Sequence, residues 1–546
     1  MLGTYANDGN RSSTRSAVMA KNGMISTSHP LASLAGLDML RSGGSAVDAV
    51  IAAATVLGVV EPMSTGIGGD LFALVYDADA GGIYGLNASG RSAARATCQE
   101  FAKRGLEHIP GSGWLCVTVP GSVDGLWQLS KRFGRLEWAE LFAPAIELAN
   151  GGFVVAPIVG EMWQEAERRL SQDEGMAKHY LLDGRAPRAG EVMSLPALGK
   201  SLEILAREGR DAFYHGWIAE EIAKASLTHD GFLELNDLAH HTSDWVDPIS
   251  FDYRGHRVYE LPPNGQGLTA LISLNILAKH NLNALGHNSA DALHLLAESL
   301  KVAFSDRDRY ITDPEDVNIP LSDLLSTTYG EKRNQEISLT EALRYPLRQT
   351  DMGRPFVPSD TVYLCAIDKW GNMASLITSI AASFGAGVVA GDTGIIMQNR
   401  GASFSLDEGH WNCLKPRKRT MHTIIPAILA ELTDDAVPQP VAAFGVMGGD
   451  MQPQGHVQFV SNVLDHGMNI QKALDAPRLR LMYDGKIALE HGICDRVALD
   501  LATRGQRLAK PQGVFFGSGQ AVEIDLASGV LIGGADHRRD GCALGY

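Results

Sequence analysis

The chain has 546 residues, 45% hydrophobic and 20% charged, which is the make-up of a folded globular protein long enough for one large layered core. Its 47 basic against 63 acidic side chains leave a net charge of −16, which argues against a nucleic-acid or anionic-membrane partner. The six cysteines (Cys98, Cys116, Cys365, Cys413, Cys494, Cys542) lack any Cys-x-x-Cys spacing and are expected to be reduced rather than a disulfide framework.

Residues 1–23 carry no apolar core of the kind a signal peptide needs, and no apolar run nears the roughly 20 residues that span a bilayer. A cytoplasmic protein is expected. Leu31 to Leu40 repeats its apolar residues at helical spacing and is closed by Gly43-Gly44. Ser45 caps a second, alanine-rich helix over 46–54, whose small residues suit close packing inside a layer. After Gly66-Ile67-Gly68-Gly69-Asp70 a strand runs from Leu71 to Tyr76. The middle third reads as helices near 136–149, 159–171, 215–226 and 291–305, with a tight turn at Pro262–Gly267 after a short strand. From 336 to 360 the sequence loses periodicity and gathers Pro346, Gly353, Pro355 and Pro358, which predicts an exposed linker where cleavage is tolerated.

At Thr361 the pattern sharpens. Val362, Leu364 and Ala366 alternate with Tyr363, Cys365 and Ile367, Asp368–Asn372 turns the chain, and Met373–Ile380 returns as a second strand. A further strand near 439–446 ends in Met447-Gly448-Gly449-Asp450, and a helix follows through Val463 with proline in its first turn.

A threonine opening a strand is ordinarily there for its β-propensity. Thr361 stands out by its company: a linker before it, a hairpin after it, and glycine pairs elsewhere. If the bond before it is cut, its own α-amine becomes the base its hydroxyl needs. Gly448-Gly449, between a strand and a helix, suits either a plain tight turn or a pair of N–H donors for a tetrahedral oxyanion. Gly66–Gly69 lacks the full dinucleotide-loop pattern. His240-His241 are adjacent, which points their rings apart, and no metal-ligand spacing accompanies them; no metal or organic cofactor is expected. No Gly-x-Ser-x-Gly elbow and no Walker A loop occurs.

Several segments together resemble the γ-glutamyltransferase family of N-terminal-nucleophile (Ntn) hydrolases. They are Asp360-Thr361-Val362-Tyr363, Phe384-Gly385-Ala386-Gly387, Gln398 to Asp407, Lys418 to Ala427 and Met447-Gly448-Gly449-Asp450. Toward the N-terminus Ser28–Ser33, Gly43–Ala49, Gly66–Asp70 and Val119–Val123 agree, as does the tail Gly534–Gly541. The resemblance implies an α+β fold, a four-layer αββα sandwich, built from a precursor that cuts itself between Asp360 and Thr361. The pieces would be residues 1–360 and 361–546, remaining associated, and a homodimer of such pairs is compatible with this. Thr361 would be the nucleophile, Gly448 and Gly449 the oxyanion hole, and Ser379, matching a family threonine, would orient the Thr361 amine or hydroxyl.

The pocket departs from the family's γ-glutamyl pattern. The segment matching its glutamyl-binding arginine reads Asn87-Ala88-Ser89-Gly90, with an arginine only at Arg91, and Ala381 replaces an asparagine. Arg400 and Ser403 stand where the family holds an α-amine, and His422-Thr423 where a serine pair holds an α-carboxylate. A guanidinium facing an ammonium group costs several kcal/mol at about 4 Å in a desolvated pocket. Arg400, with Arg91, His422, Thr423, Ser403 and Asp450 around the acyl site, suits a carboxylate without a nearby amine. Arg400 also suits a structural ion pair with Asp407 or Asp450. The expectation is an amidohydrolase for a small, oxamate-like carboxy-amide. The alternatives are a γ-glutamyl hydrolase or transferase of the glutathione hydrolase type, a cephalosporin-type acylase, and an unprocessed binding protein.

Overall fold

The computed structural model describes residues 1–3, 15–345, 360–433, 438–513 and 515–546. Most of the expected pre-cleavage linker, residues 346–359, lies outside the described residues.

Two seven-stranded antiparallel sheets form the centre among the described residues. The first runs Cys542–Gly545, Met24–Thr27, Val362–Ile367, Met373–Ser379, Asp70–Asp77, Gly82–Ala88, Asp244–Val246. The second runs Val18–Ala20, Leu531–Ala535, Ser518–Ile524, Pro438–Met447, Ala427–Leu432, His256–Glu260, Ile249–Tyr253. The alternation after Thr361 explains how they stack. Tyr363, Cys365 and Ile367 meet Ile428, Ala443 and Val522 of the second sheet. Val362, Leu364 and Ala366 face the other way, into a core shared with the helices Pro30–Arg41 and Ala46–Val60. With both faces covered, every residue of Val362–Ile367 is buried.

The outer face of the second sheet carries the helices Gly267–Leu277, Ala290–Tyr310 and Met451–Leu464, through Leu271, Leu300 and Val460 against Leu429 and Phe444. The layers are helices, sheet, sheet and helices, the four-layer αββα sandwich that the resemblance implies.

Local chemistry sets the element ends. Ser45 and Asp48 form a reciprocal capping box, Asp48 N–H donating to Ser45 Oγ at 3.2 Å and Ser45 N–H to Asp48 Oδ2 at 2.8 Å. The helix expected over 136–149 is two elements, a 3-10 turn at Trp138–Leu141 and a helix at Ala143–Gly151. Pro144 is the reason: lacking an N–H, it belongs to a first turn and not to a helix interior.

The two sides of the Asp360–Thr361 bond are interleaved. Val362–Ile367 pairs with Met24–Thr27, Met373–Ser379 with Asp70–Asp77, and Ala427–Leu432 with His256–Glu260. The ends join too, Leu531–Ala535 to Val18–Ala20 and Cys542–Gly545 to Met24–Thr27. Backbone ladders would therefore hold two pieces together after a cut at this bond. No helix of the described residues is long and apolar enough to cross a membrane.

Candidate active site

Thr361 immediately precedes Val362–Ile367, the third strand of the first sheet, and is completely buried. Its Oγ1 donates to the carbonyl oxygen of Asp360 at 2.6 Å and lies 3.1 Å from Ser379 Oγ. Ser379 ends the neighbouring strand; its hydroxyl donates to the same Asp360 oxygen at 2.9 Å and accepts the Ala381 N–H at 2.9 Å. Two hydroxyls thus converge on one carbonyl, that of the peptide bond preceding the threonine. The N–H of this peptide donates to Asp360 Oδ1 at 2.9 Å, and Arg539 Nη2 donates to the same oxygen at 2.8 Å.

Gly448 and Gly449 follow the strand Pro438–Met447 with φ of +123° and +61°. Such values suit glycine, and a Cβ on Gly448 would come within 3.2 Å of Gly517 Cα and the Phe515 ring. The turn is tied to the second sheet's helical cover by Gln266, whose Nε2 donates to Gly449 O at 3.0 Å and to Thr423 O at 2.7 Å.

Arg400 is buried on a short 3-10 turn, Arg400–Ser403, and donates from Nη1 to Thr423 Oγ1 at 3.0 Å. The preceding Asn399 fastens this turn to the Ser379 strand: its N–H donates to Ile380 O at 3.3 Å and its Oδ1 accepts Ala382 N–H at 2.9 Å. Ser379, Arg400, Thr423 and Gly449 are therefore linked through Asn399 and Gln266. Ser403 offers its carbonyl to Asn412 Nδ2 at 2.8 Å.

His422 is fully buried with both ring nitrogens engaged. Nε2 meets Asp70 Oδ2 at 3.0 Å and Nδ1 accepts Ile424 N–H at 3.3 Å. Burial and the Arg400 charge push His422 down to about 4, so the ring is neutral and Nε2–H donates. Burial alone would raise Asp70, but the His422 hydrogen bond and the nearby Arg400 charge outweigh it and keep Asp70 ionised.

Asp70 is the residue the sequence reading left without a role. Its Oδ1 accepts Gly90 N–H at 2.9 Å, Gly121 N–H at 3.1 Å and Gln398 Nε2 at 2.9 Å. With His422 on Oδ2, one carboxylate ties four other segments of the chain to its own. The signal for it was the aspartate closing Gly66–Asp70.

Arg91 is not brought to this cluster. Its guanidinium pairs with Asp313 at 3.2 Å and Glu315 at 2.9 Å and is 27% exposed. Asp450 pairs with Arg307 at 2.7 Å, the same Arg307 that donates to Gln266 Oε1 at 3.2 Å. Asp450 thereby braces the glycine turn from outside. Among the described residues no group of three or more His, Cys, Asp or Glu side chains is placed to hold a metal ion.

The gamma-glutamyltranspeptidase family model matches residues 32–546. A glutathione hydrolase-like proenzyme of Bacillus subtilis is 36% identical, the match covering 97% of this chain and 99% of that protein. An oxamate amidohydrolase proenzyme of Klebsiella pneumoniae is 33% identical over 97% of this chain and 100% of its own length. The crystal structure of cephalosporin acylase from Bacillus halodurans superposes with a TM-score of 0.90 at 41% identity, covering 100% of this chain and 99% of that one. With the buried threonine, its hydroxyl partner and the sandwich that holds them, these likenesses make the chain an Ntn-type enzyme belonging to the gamma-glutamyltranspeptidase family.

Proposed function

We propose that the chain cuts itself between Asp360 and Thr361 and then acts as an N-terminal threonine amidohydrolase on a small amide that carries a carboxylate. The observation that carries this is the convergence of Thr361 Oγ1 and Ser379 Oγ on the Asp360 carbonyl, at 2.6 and 2.9 Å. In the first step Thr361 Oγ1 attacks the Asp360 carbonyl carbon, and Ser379 donates to the oxygen as it gains charge. The C–N bond breaks, the hydroxyl proton ends on the departing nitrogen, and an ester joins Asp360 to Thr361. Water then hydrolyses the ester to an Asp360 carboxylate and a free Thr361 with its α-amine.

In the processed enzyme the α-amine takes the proton of the Thr361 hydroxyl, which attacks the substrate amide carbon. Gly448 and Gly449 N–H groups are assigned to the tetrahedral oxyanion. The proton passes to the leaving amine, an acyl-enzyme remains on Thr361, and water releases the acid. Arg400, next to Thr423 and tied to the Ser379 strand, is assigned to the substrate carboxylate. Asp70 and His422 hold the wall behind it rather than the substrate, because their polar atoms already serve one another. The named activities of the relatives support an amide-cleaving enzyme, and the oxamate amidohydrolase likeness favours a short carboxy-amide. The likeness to cephalosporin acylase favours a second reading, an N-acyl group ending in a carboxylate, which Arg400 would also meet.

Denaturing electrophoresis and a paired assay test the proposal. The wild-type chain should convert to pieces 1–360 and 361–546, and Thr361→Ala should stay whole. The processed enzyme should release ammonia from oxamate faster than p-nitroaniline from γ-glutamyl-p-nitroanilide. A wild-type chain that stays whole refutes the processing step, and robust γ-glutamyl turnover with none on oxamate refutes the substrate assignment.

A further inference from the structure

Cys98 begins the short helix Cys98–Lys103, and Cys413 closes a loop whose ends meet in a parallel bridge to Ser405, Leu414 N–H donating to Ser405 O at 2.9 Å. They are 315 positions apart and on opposite sides of the Asp360–Thr361 bond, yet their sulfurs are 3.5 Å apart. Both thiols are also aimed at one acceptor, the Leu414 carbonyl, each at 3.5 Å. A disulfide needs the sulfurs roughly 2.0 Å apart, so closing the bond requires about 1.5 Å of side-chain movement.

From this placement we infer that Cys98 and Cys413 form an oxidation site whose disulfide joins the two pieces of the processed enzyme covalently. The covalent joining rests on the cleavage proposed above; the disulfide itself does not. The oxidant is a small-molecule disulfide such as oxidised glutathione. Cys98, the partly exposed member, gives up its proton and attacks one sulfur of that molecule, forming a mixed disulfide and releasing one thiol. Cys413, buried beside it, then loses its proton and attacks the Cys98 sulfur, and the second thiol leaves. Two protein thiols are oxidised and one small disulfide is reduced to two thiols. The order follows from access: Cys413 is 4% exposed, and burial together with the neighbouring Cys98 sulfur pushes its thiol up to about 12.

The bond has a local consequence. The loop carries Asn412, whose side chain donates to Ser403 O and to Thr420 Oγ1 at 2.8 and 3.0 Å. Oxidation would pin this rim of the acyl site to the N-terminal piece.

The test treats the wild-type chain and Thr361→Ala with oxidised glutathione, blocks free thiols by alkylation, and separates each with and without reductant. Denatured labelling should fall from six thiols to four in both chains. The processed wild type should run as one band without reductant and as two with it. Peptide mapping should recover Cys98 linked to Cys413, and Cys98→Ser and Cys413→Ser should each abolish the link. Six labelled thiols after oxidation, or a lost pair that maps to other cysteines, overturns the inference. A wild-type chain that remains one band with reductant reports failed processing, and the thiol count still decides the disulfide.

Discussion

Arg539 reaches back from the C-terminal tail to Asp360, donating from Nη2 to Oδ1 at 2.8 Å with both side chains buried. That oxygen also accepts the Thr361 N–H at 2.9 Å. The last segment of the chain thus holds Asp360 through its carboxylate, and the carboxylate holds the Asp360–Thr361 peptide bond, the one proposed for cleavage. Arg539→Met would leave a buried carboxylate without its partner, which costs about 3–5 kcal/mol in other proteins. It should lower the unfolding midpoint and slow conversion of the full-length band by roughly tenfold or more, since each 1.4 kcal/mol on a barrier is tenfold in rate. Asp360→Asn added to Arg539→Met should recover part of the stability, because no charge is then stranded. An Arg539→Met chain that processes at the wild-type rate would show that the pair positions nothing.

The Ser379 hydroxyl makes a sharper prediction because it donates directly to the Asp360 carbonyl that the proposed cleavage attacks. Removing one donor from a developing oxyanion costs about 10²–10³ in rate. Ser379→Ala should slow self-cleavage by about that factor, while Ser379→Thr, which keeps the hydroxyl, should stay close to wild type. Time-resolved gels read both. Rapid cleavage by the alanine variant would assign stabilisation of the Asp360 oxygen to another group.

The strand after Thr361 was legible in the sequence because Val362–Ile367 is a short apolar run that stops at the turn residues Asp368–Asn372, which fits a strand buried on both faces. The helix Gly267–Leu277 was not, since all 11 of its residues are buried and no polar face marks the helical period. The strands Ser518–Ile524 and Leu531–Ala535 were hidden for another reason. They carry glycines where neighbours press close, a Cβ on Gly519 coming within 2.7 Å of Leu474, so β-propensity is low there. Motif order singled out Thr361 and Ser379, whose hydroxyls the fold brings to 3.1 Å. It did not single out Asp70, because that residue's partners lie 20 to 352 positions away and only the fold assembles them. Arg91 was misplaced by adjacency. Gly90 N–H is pinned on Asp70, and the next side chain leaves toward Asp313 and Glu315.

Arg400 should govern recognition of the acyl group rather than the chemistry. A hydrogen bond to a charged group contributes about 1.5–3 kcal/mol, which corresponds to roughly 10–150-fold in affinity. Arg400→Met should raise KM for a carboxylate-bearing amide by that order with kcat changed far less. Arg400→Lys should recover only part of it, since a point charge lacks the planar fork. The same amide with its carboxylate esterified should be almost indifferent to the substitution. Equal losses on the charged and esterified substrates would move Arg400 from recognition to structure.

Glu61 gives the site a pH dependence of stability. It is 1% exposed and accepts the Ser28 hydroxyl at 2.6 Å, and burial raises its carboxyl from 4.5 to about 7, with Arg539 opposing and Asp360 adding to the shift. Between those two values the folded chain keeps a proton that the unfolded chain has released, so stability falls as pH rises from about 4.5 to about 7 and the loss is complete above it. The shift corresponds to about 3 kcal/mol. Glu61→Gln keeps an acceptor for Ser28 and carries no charge to bury. In a Thr361→Ala background, where the chain should stay whole, urea unfolding would compare the two at each pH. The glutamine variant should gain on the parent by about 3 kcal/mol between pH 4.5 and 7.5, the histidines common to both cancelling in the difference. Two stability curves that run parallel across this window would mean that Glu61 is ionised in the folded chain as readily as in the unfolded one, with Arg539 shared between it and Asp360.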